Sequence, residues 1–219
     1  MKNIIKKVYI VPDYQATSND HWYPWLSRQL KNAGFESKRI MLANPFQPNL
    51  EEWQQNLKLH IPHMDEHTFL VAHGLSCVSV LSFLQQHYLQ QQHKIGGIIL
   101  VSAFDTPLVA WSELNKILQA VRLDLKNLPY SYKRAVMLIS SNDPYVPAPI
   151  SLRLAHSLNA QIFEIKKPDI LIRLMALPIF RNCWTLSNSV WQMSCKMLQA
   201  FKQKIRFNPG LILSEMLRK

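Results

Sequence analysis

The sequence predicts an α/β fold in three layers: a mostly parallel sheet of about six strands with helices on both faces. Three observations carry this. Short β-branched or apolar runs alternate with longer segments of helical period, as in a parallel sheet covered by helices. The length, 219 residues, suits one domain with a substantial core and is short for two large ones. Hydrophobic residues make up 48% of the chain, yet no uncharged apolar run reaches the roughly 18 residues of a membrane span.

The elements follow in order. Lys7 to Val11 is the first strand, and Trp22, Trp25, Leu26 and Leu30 then recur at helical spacing as one buried face. Lys38 to Leu42 is the second strand. Pro45 and Pro48 punctuate the next loop, and Asn49 is placed as an N-cap ahead of Glu51 and Glu52, opening a helix that buries Leu50, Trp53 and Leu57. Thr68 to Ala72 is the third strand, feeding a helix that starts near Ser76 and buries Val80, Leu81, Leu84 and Tyr88. Gly97 to Ser102, Ala135 to Ser140 and Gln161 to Ile165 complete the strands, with a helix from Ile150 to Leu158 before the last. No internal repeat is visible. Ligands of open α/β sheets bind at the carboxyl ends of the strands. The loops expected there are Pro12 to Asn19, Ala103 to Leu108, Ser141 to Pro147 and the segment after Ile165.

The net charge of +11 is unevenly spread, because residues 168–219 hold eight Lys/Arg against two acidic residues. That tail lacks the interleaved basic and aromatic residues of a nucleic-acid surface, so neither nucleic acid nor membrane is an expected partner. Cys77, Cys183 and Cys195 form no C-x-x-C pair and no even framework, which fits free thiols in a reducing compartment. The start, Met1 to Lys7, runs directly into the first strand without a signal-peptide pattern, and the expected location is the cytoplasm. His60, His63 and His67 are spaced suggestively, but Pro62 interrupts them and no carboxylate or cysteine completes a ligand set. They read as solvated loop histidines. No metal and no cofactor is expected.

The segment Phe69-Leu70-Val71-Ala72-His73-Gly74-Leu75-Ser76-Cys77 carries most of the functional information. A strand entering a tight turn before a helix is the setting of the G-x-S-x-G nucleophile elbow. Its middle residue, which should bear the attacking hydroxyl, is here Gly74. Ser76 stands two places later, where a final glycine is expected, and its hydroxyl reads best as a cap on backbone N–H groups. Ser76 is nonetheless the one candidate for a substitute nucleophile. His73 reads as a structural histidine and Cys77 as core.

Beyond the elbow, Val8 to Val11, Asp20-His21-Trp22-Tyr23-Pro24-Trp25-Leu26, Asn49-Leu50-Glu51-Glu52-Trp53, Ile95 to Ser102 and Asn142-Asp143-Pro144-Tyr145-Val146-Pro147 add a resemblance. Over about residues 7–167 the chain resembles the small serine hydrolases related to retinoblastoma-binding protein 9 and bacterial YdeN. The resemblance implies a compact α/β-hydrolase fold, a Ser-Asp-His triad and esterase-like chemistry on a small ester or acyl substrate. It assigns the acid position to Asp143, which also reads as a turn or cap aspartate before Pro144. The nucleophile position falls on Gly74. The oxyanion region falls on Pro12, Asp13 and Leu75. Where the family has a His-Gly pair, this chain has Pro12-Asp13, a residue without N–H followed by a carboxylate that would repel a developing oxyanion.

The family's histidine lies after the last strand in a Gly-His-Phe-Asn segment, but no histidine follows His156 here, and Lys167-Pro168-Asp169-Ile170-Leu171 occupies that place. His156 itself falls in a helix facing away. The genetic code suggests a cause. If each new codon takes the third base of one codon and the first two of the next, Asp169-Ile170 can yield only His or Tyr and Met175-Ala176 only Gly. Permitted codons from Pro168 then read Gly-His-Phe-Asn-Ser-Ala-Asp-Gly-Phe, the family's missing ending. The expected organisation is therefore a hydrolase-like domain over residues 1–167 and an atypical tail over 168–219, out of frame and not a domain of its own; a genuine divergent helix is the alternative.

Three function classes remain open: a family member whose catalysis is lost, an active serine hydrolase using Ser76, and a non-catalytic binding module that keeps the cleft. No protein partner is identified by the sequence.

Overall fold

The computed structural model describes residues 5–165. Cys183, Cys195 and the tail expected to be out of frame lie outside the described residues. Six strands form one sheet in the order β2-β1-β3-β4-β5-β6, and every neighbouring pair is parallel. The strands are β1 (Lys7–Val11), β2 (Glu36–Arg39), β3 (Thr68–His73), β4 (Gly97–Val101), β5 (Ala135–Ser140) and β6 (Gln161–Ile165). A parallel sheet covered on both faces needs apolar runs rather than strict alternation. The central strands comply: all five residues of β4 and all six of β5 are buried.

The second strand lies earlier than the expected Lys38 to Leu42. Its pairing with β1 runs from Lys7↔Glu36 to Ile10↔Arg39. Ile40 donates its N–H to the Ile10 carbonyl at 2.8 Å and, like Leu42, is buried beyond the strand end. The apolar run thus marks a buried exit from a polar edge strand.

Helix α1 (Tyr23–Asn32) buries Tyr23, Leu26 and Leu30 and packs on β1 and β2. Trp22 is buried just ahead of it, at the N-cap, while Trp25 is half-buried, so the expected tryptophan stripe is displaced. Pro24 sits in the first turn, where its missing N–H has no intrahelical partner to lose. Helix α2 (Leu50–His60) begins as expected, with the Asn49 side chain accepting from the Glu52 N–H at 3.1 Å and two acids in the first turn. Helix α3 (Ser76–Gln91) is buried without interruption from Ser76 to Leu84 and is hydrophobic on nearly every side there. Gln54 of α2 ties the two together, donating to the Ser79 carbonyl at 2.8 Å and to the Ser79 hydroxyl at 3.0 Å. A short 3-10 segment (Val109–Leu114), α4 (Asn115–Ala120) and a second 3-10 turn (Leu128–Ser131) connect β4 to β5, and α5 (Ala148–Ser157) leads into β6.

Alternate residues of the strands divide the core. Tyr9, Val11, Leu70, Ala72, Ile98, Leu100, Met137 and Ile139 share one cluster with Trp53 and Leu57 of α2, Leu81 and Leu84 of α3 and Leu154 of α5. The chain steps from β1 outward to β2, then returns past β1 and proceeds the other way through β3 to β6. The order therefore reverses between β1 and β3. Such a reversal leaves a crevice at the carboxyl ends of the two strands, because their outgoing connections diverge to opposite faces. The register pairs Val11 with Ala72. The residues that leave the sheet side by side at this crevice are Pro12-Asp13 and His73-Gly74.

Candidate active site

Gly74 turns the chain from β3 into α3 with φ +56°, and its N–H donates to the Val101 carbonyl at 2.9 Å. A left-handed residue at this junction has the strained geometry of an elbow. The space beside Gly74 is already filled. A Cβ at residue 74 would overlap the Oδ1, Oδ2 and Cγ atoms of Asp13. The carboxyl group of Asp13 thus stands where a side chain at position 74 would begin.

The same carboxyl group takes two backbone N–H donors. Asp13 Oδ1 accepts from the Leu75 N–H at 2.7 Å and from the Tyr14 N–H at 2.7 Å. One donor follows the elbow residue and the other lies in the loop after β1, the two sources from which a hydrolase of this architecture takes its oxyanion contacts. The donor to this carboxyl group from the loop after β1 is Tyr14. Pro12 is buried and has no N–H, and the Asp13 N–H donates instead to Tyr23 Oη at 3.0 Å.

Burial pushes the Asp13 carboxyl up to about 7, against the Leu75 and Tyr14 N–H groups, with the charge of Asp143 adding to the rise. His73 moves the other way, to about 4, because burial and neighbouring His21 disfavour its charged form while Asp143 favours it. Its Nδ1 lies 2.8 Å from Tyr23 Oη. The same hydroxyl accepts from the Asp13 N–H at 3.0 Å, so Tyr23 links the loop after β1 to the end of β3. The ring packs against Trp22, Tyr23 and His21 at centroid distances of 5.6, 6.0 and 6.0 Å. His73 is held as a structural histidine.

Ser76 is 0% exposed. Its hydroxyl donates to the His73 carbonyl at 2.9 Å, lies 3.2 Å from the Val11 carbonyl and accepts from the His73 N–H at 3.2 Å. It joins the ends of two strands, and the backbone N–H it takes is that of His73 at the end of β3. Cys77 is a buried free thiol, raised well above its ordinary pKa by desolvation.

Asp143 reaches the same sheet edge from the loop after β5. Its Oδ1 accepts from the Tyr145 and Val146 N–H groups at 2.9 and 3.0 Å, the turn role that was expected as an alternative. Its Oδ2 accepts from Ser102 Oγ at 2.9 Å. Ser102 follows β4 at φ +46°, a conformation costly for a residue with a Cβ, and its hydroxyl bond helps to hold it. Trp111 stacks on Tyr145 at 5.1 Å and meets Tyr14 edge-on at 6.4 Å, which joins the three loops around the crevice.

His156 is exposed on the last turn of α5. His60 ends α2 and His63 is exposed; among the described residues no group of three metal-ligand side chains converges. No helix of the described residues is long and apolar enough to cross a membrane. Tyr14, Tyr23 and Ser102 were missed as site residues. Tyr23 lies inside the Trp22 segment that carries the family resemblance, which was the available signal; Tyr14 acts through its backbone, which no side-chain pattern reports.

The two shifted groups make opposite contributions to stability. From pH 4 to 7 the folded chain keeps the Asp13 proton that an unfolded chain releases, so this contribution falls as pH rises. From pH 4 to 6.5 the folded chain binds less proton at His73 than the unfolded chain, so that contribution rises with pH. Asp13→Asn is expected to leave the His73 limb uncompensated, so stability climbs from pH 4.5 to 6.5 more steeply than in the wild type, by up to about 1.4 kcal/mol per pH unit. Urea denaturation at both pH values checks this, and equal slopes in the two proteins contradict it.

Comparison with known proteins agrees with this architecture. The Serine hydrolase family model matches residues 8–168. YdeN of Bacillus subtilis (strain 168), named as a hydrolase, is 37% identical over 161 residues, covering 74% of this chain and 83% of that protein. The crystal structure of the B. subtilis ydeN gene product superposes with a TM-score of 0.70 at 32% identity, over 78% of this chain and 97% of that one. The mouse alpha/beta hydrolase domain-containing protein 10 shares the fold, with a TM-score of 0.60 at 14% identity over 80% and 89% of the two chains. A sheet with its elbow at the β1–β3 crevice, a family match over most of the length and a relative at 37% identity lead to one assignment: the chain belongs to the serine hydrolase family.

Proposed function

We propose that this chain is a serine hydrolase family member that has lost acyl transfer at its elbow. The observation that carries the reading is the Asp13 carboxyl group, which fills the place of a side chain at position 74 and takes the two N–H groups suited to an oxyanion. Acyl transfer needs a nucleophile with a base in hydrogen-bond reach and unoccupied donors for the tetrahedral oxygen. Gly74 supplies no nucleophile. Ser76 is buried and engaged with backbone carbonyls, which argues against its use as a substitute. Asp143 retains the acid position, but its oxygens serve a turn and Ser102.

The proposal includes the tail. Residues from about 168 are read as out of frame, which accounts for the missing histidine and the basic excess, and the family match ending at residue 168 supports it. The coding DNA tests this part: an out-of-frame histidine codon across Asp169 and Ile170 is expected, and its absence refutes the frameshift. A cytoplasmic location belongs to the same reading, supported by the buried free thiol of Cys77.

Activity is tested with p-nitrophenyl acetate and butyrate. The wild-type chain is expected to show no saturable hydrolysis above the buffer rate. Saturable turnover that disappears in Ser76→Ala, with the fold intact by circular dichroism, would establish Ser76 as the nucleophile and overturn the reading.

A further inference from the structure

A cavity of about 620 Å³ lies beside the second half of α3, whose other end follows the elbow. Its size falls within the roughly 300–1,000 Å³ of small-molecule sites. Lys58 reaches it from the last turn of α2, His63 from the segment after α2, His87 from α3 and His93 from just beyond α3. No acidic residue lines it, so four side chains able to carry positive charge share one hollow without a carboxylate to neutralise them. The acids nearest His93, Asp65 and Glu66, line an adjoining hollow and are engaged there. Glu66 pairs with Lys133, and Asp65 Oδ1 accepts from the His67 N–H and the Thr68 hydroxyl, both at 2.9 Å. Helix α2 ends with negative polarity, but Lys38 already donates to the His60 carbonyl at 3.4 Å. The apolar wall of the cavity comes from Ile61, Met64 and Phe83.

His87 is the residue that a structural role explains least. Its Nε2 is buried and has no hydrogen-bond partner among the described residues, a condition that in a native fold calls for a partner. Burial and the neighbouring His93 hold its pKa below the ordinary imidazole value, while the Met64 backbone favours the charged ring. A negative charge beside the ring would tip that balance towards the protonated form and give its Nε2–H an acceptor.

We propose that the cavity between the end of α2 and the second half of α3 binds a small organic anion with an apolar body, of the class of a medium-chain carboxylate. Lys58, His63, His87 and His93 meet the charged head, and Ile61, Met64 and Phe83 meet the chain. Binding at neutral pH draws a proton from solvent onto the His87 ring, so affinity rises as the pH falls. The site is separate from the elbow and stands whether or not the elbow is catalytic.

The full-length chain is titrated with sodium octanoate at about pH 6 and about pH 8, following the histidine ring resonances, with sodium chloride at matched ionic strength and 1-octanol as controls. The His63, His87 and His93 rings are expected to shift saturably with octanoate and with neither control. Binding is expected to be at least about tenfold tighter at the lower pH, within the limit of tenfold per pH unit that one linked proton allows. No saturable shift with octanoate, equal affinity at the two pH values, or the same saturation by 1-octanol overturns the proposal. Lys58→Gln changes an exposed residue and is expected to weaken octanoate at least about threefold at the lower pH. His87→Gln is expected to weaken it as well. Unchanged affinity in both variants, each folded by circular dichroism, would place the ligand elsewhere and contradict the assignment.

Discussion

A serine placed at position 74 while Asp13 remains is expected to produce no measurable ester hydrolysis and a less stable protein. Three effects act together. Residue 74 sits at φ +56°, where an L-residue is strained by about 1–2 kcal/mol. The new Cβ displaces the Asp13 carboxyl, breaking its bonds from Leu75 and Tyr14, each worth about 1–3 kcal/mol when a buried partner is left unsatisfied. The total loss is about 3 kcal/mol or more. The third effect is chemical, because the proposed reading leaves the new serine without the family's histidine: His73 Nδ1 lies 2.8 Å from Tyr23 Oη and His156 is exposed on α5. The full repair combines Asp13→Gly, Gly74→Ser and Ser76→Gly with the tail read in the restored frame. It is expected to hydrolyse p-nitrophenyl acetate at least ~10³-fold faster than the wild type, since nucleophile, base and oxyanion donors act as a unit. The same three substitutions with the present tail should recover little. Equal rates with and without the frame restored would show that the base lies elsewhere.

Trp53→Ala is expected to be the most damaging substitution outside the crevice, costing about 3–5 kcal/mol. Trp53 is 0% exposed and belongs to the cluster that joins α2 and α3 to the sheet. Its indole N–H donates to the Ala43 carbonyl at 2.8 Å, so truncation removes both the largest fully buried side chain among the described residues and the partner of a loop carbonyl. In a chain of this size each kcal/mol shifts the melting midpoint by about 2–4 °C, so a fall of roughly 10 °C or more is expected. Trp53→Phe keeps most of the apolar volume and loses the hydrogen bond, and it should fall between the two. Thermal unfolding of the three proteins checks the order; a Trp53→Ala loss below about 1 kcal/mol would mean that α2 is held by other contacts.

Much of the fold was legible because its signals are long or local. β1, β5 and β6 have their expected limits, and β3 and β4 differ by one residue at the carboxyl end. Asn49 acts as the N-cap its position announced. β2 was misplaced because the buried run at Ile40 to Leu42 outweighs the polar Glu36–Arg39 in any hydrophobic reading, whereas pairing with β1 decides the strand. The two 3-10 turns and α4 span four to six residues each and contain too few turns to show a period.

The site was legible in its losses and not in its contacts. Gly74 at the elbow and the lack of a late histidine are statements about residue identity, and sequence reports identity directly. Asp13 was visible only as an unfavourable charge near the oxyanion region. Its actual place depends on the Val11↔Ala72 register and the left-handed turn at Gly74, which bring residues 61 positions apart into one volume. Ser76 shows the same limit: its hydroxyl follows the strand ends it joins, not the helix it opens.

The central claim is that no serine at this elbow attacks an acyl or phosphonyl centre. The most direct measurement is the intact mass of the wild-type chain after exposure to a fluorophosphonate, which modifies an activated serine irrespective of the natural substrate. An unchanged mass is expected, with labelling appearing only in the fully repaired chain. A stoichiometric adduct on the wild-type peptide containing Ser76 would contradict it.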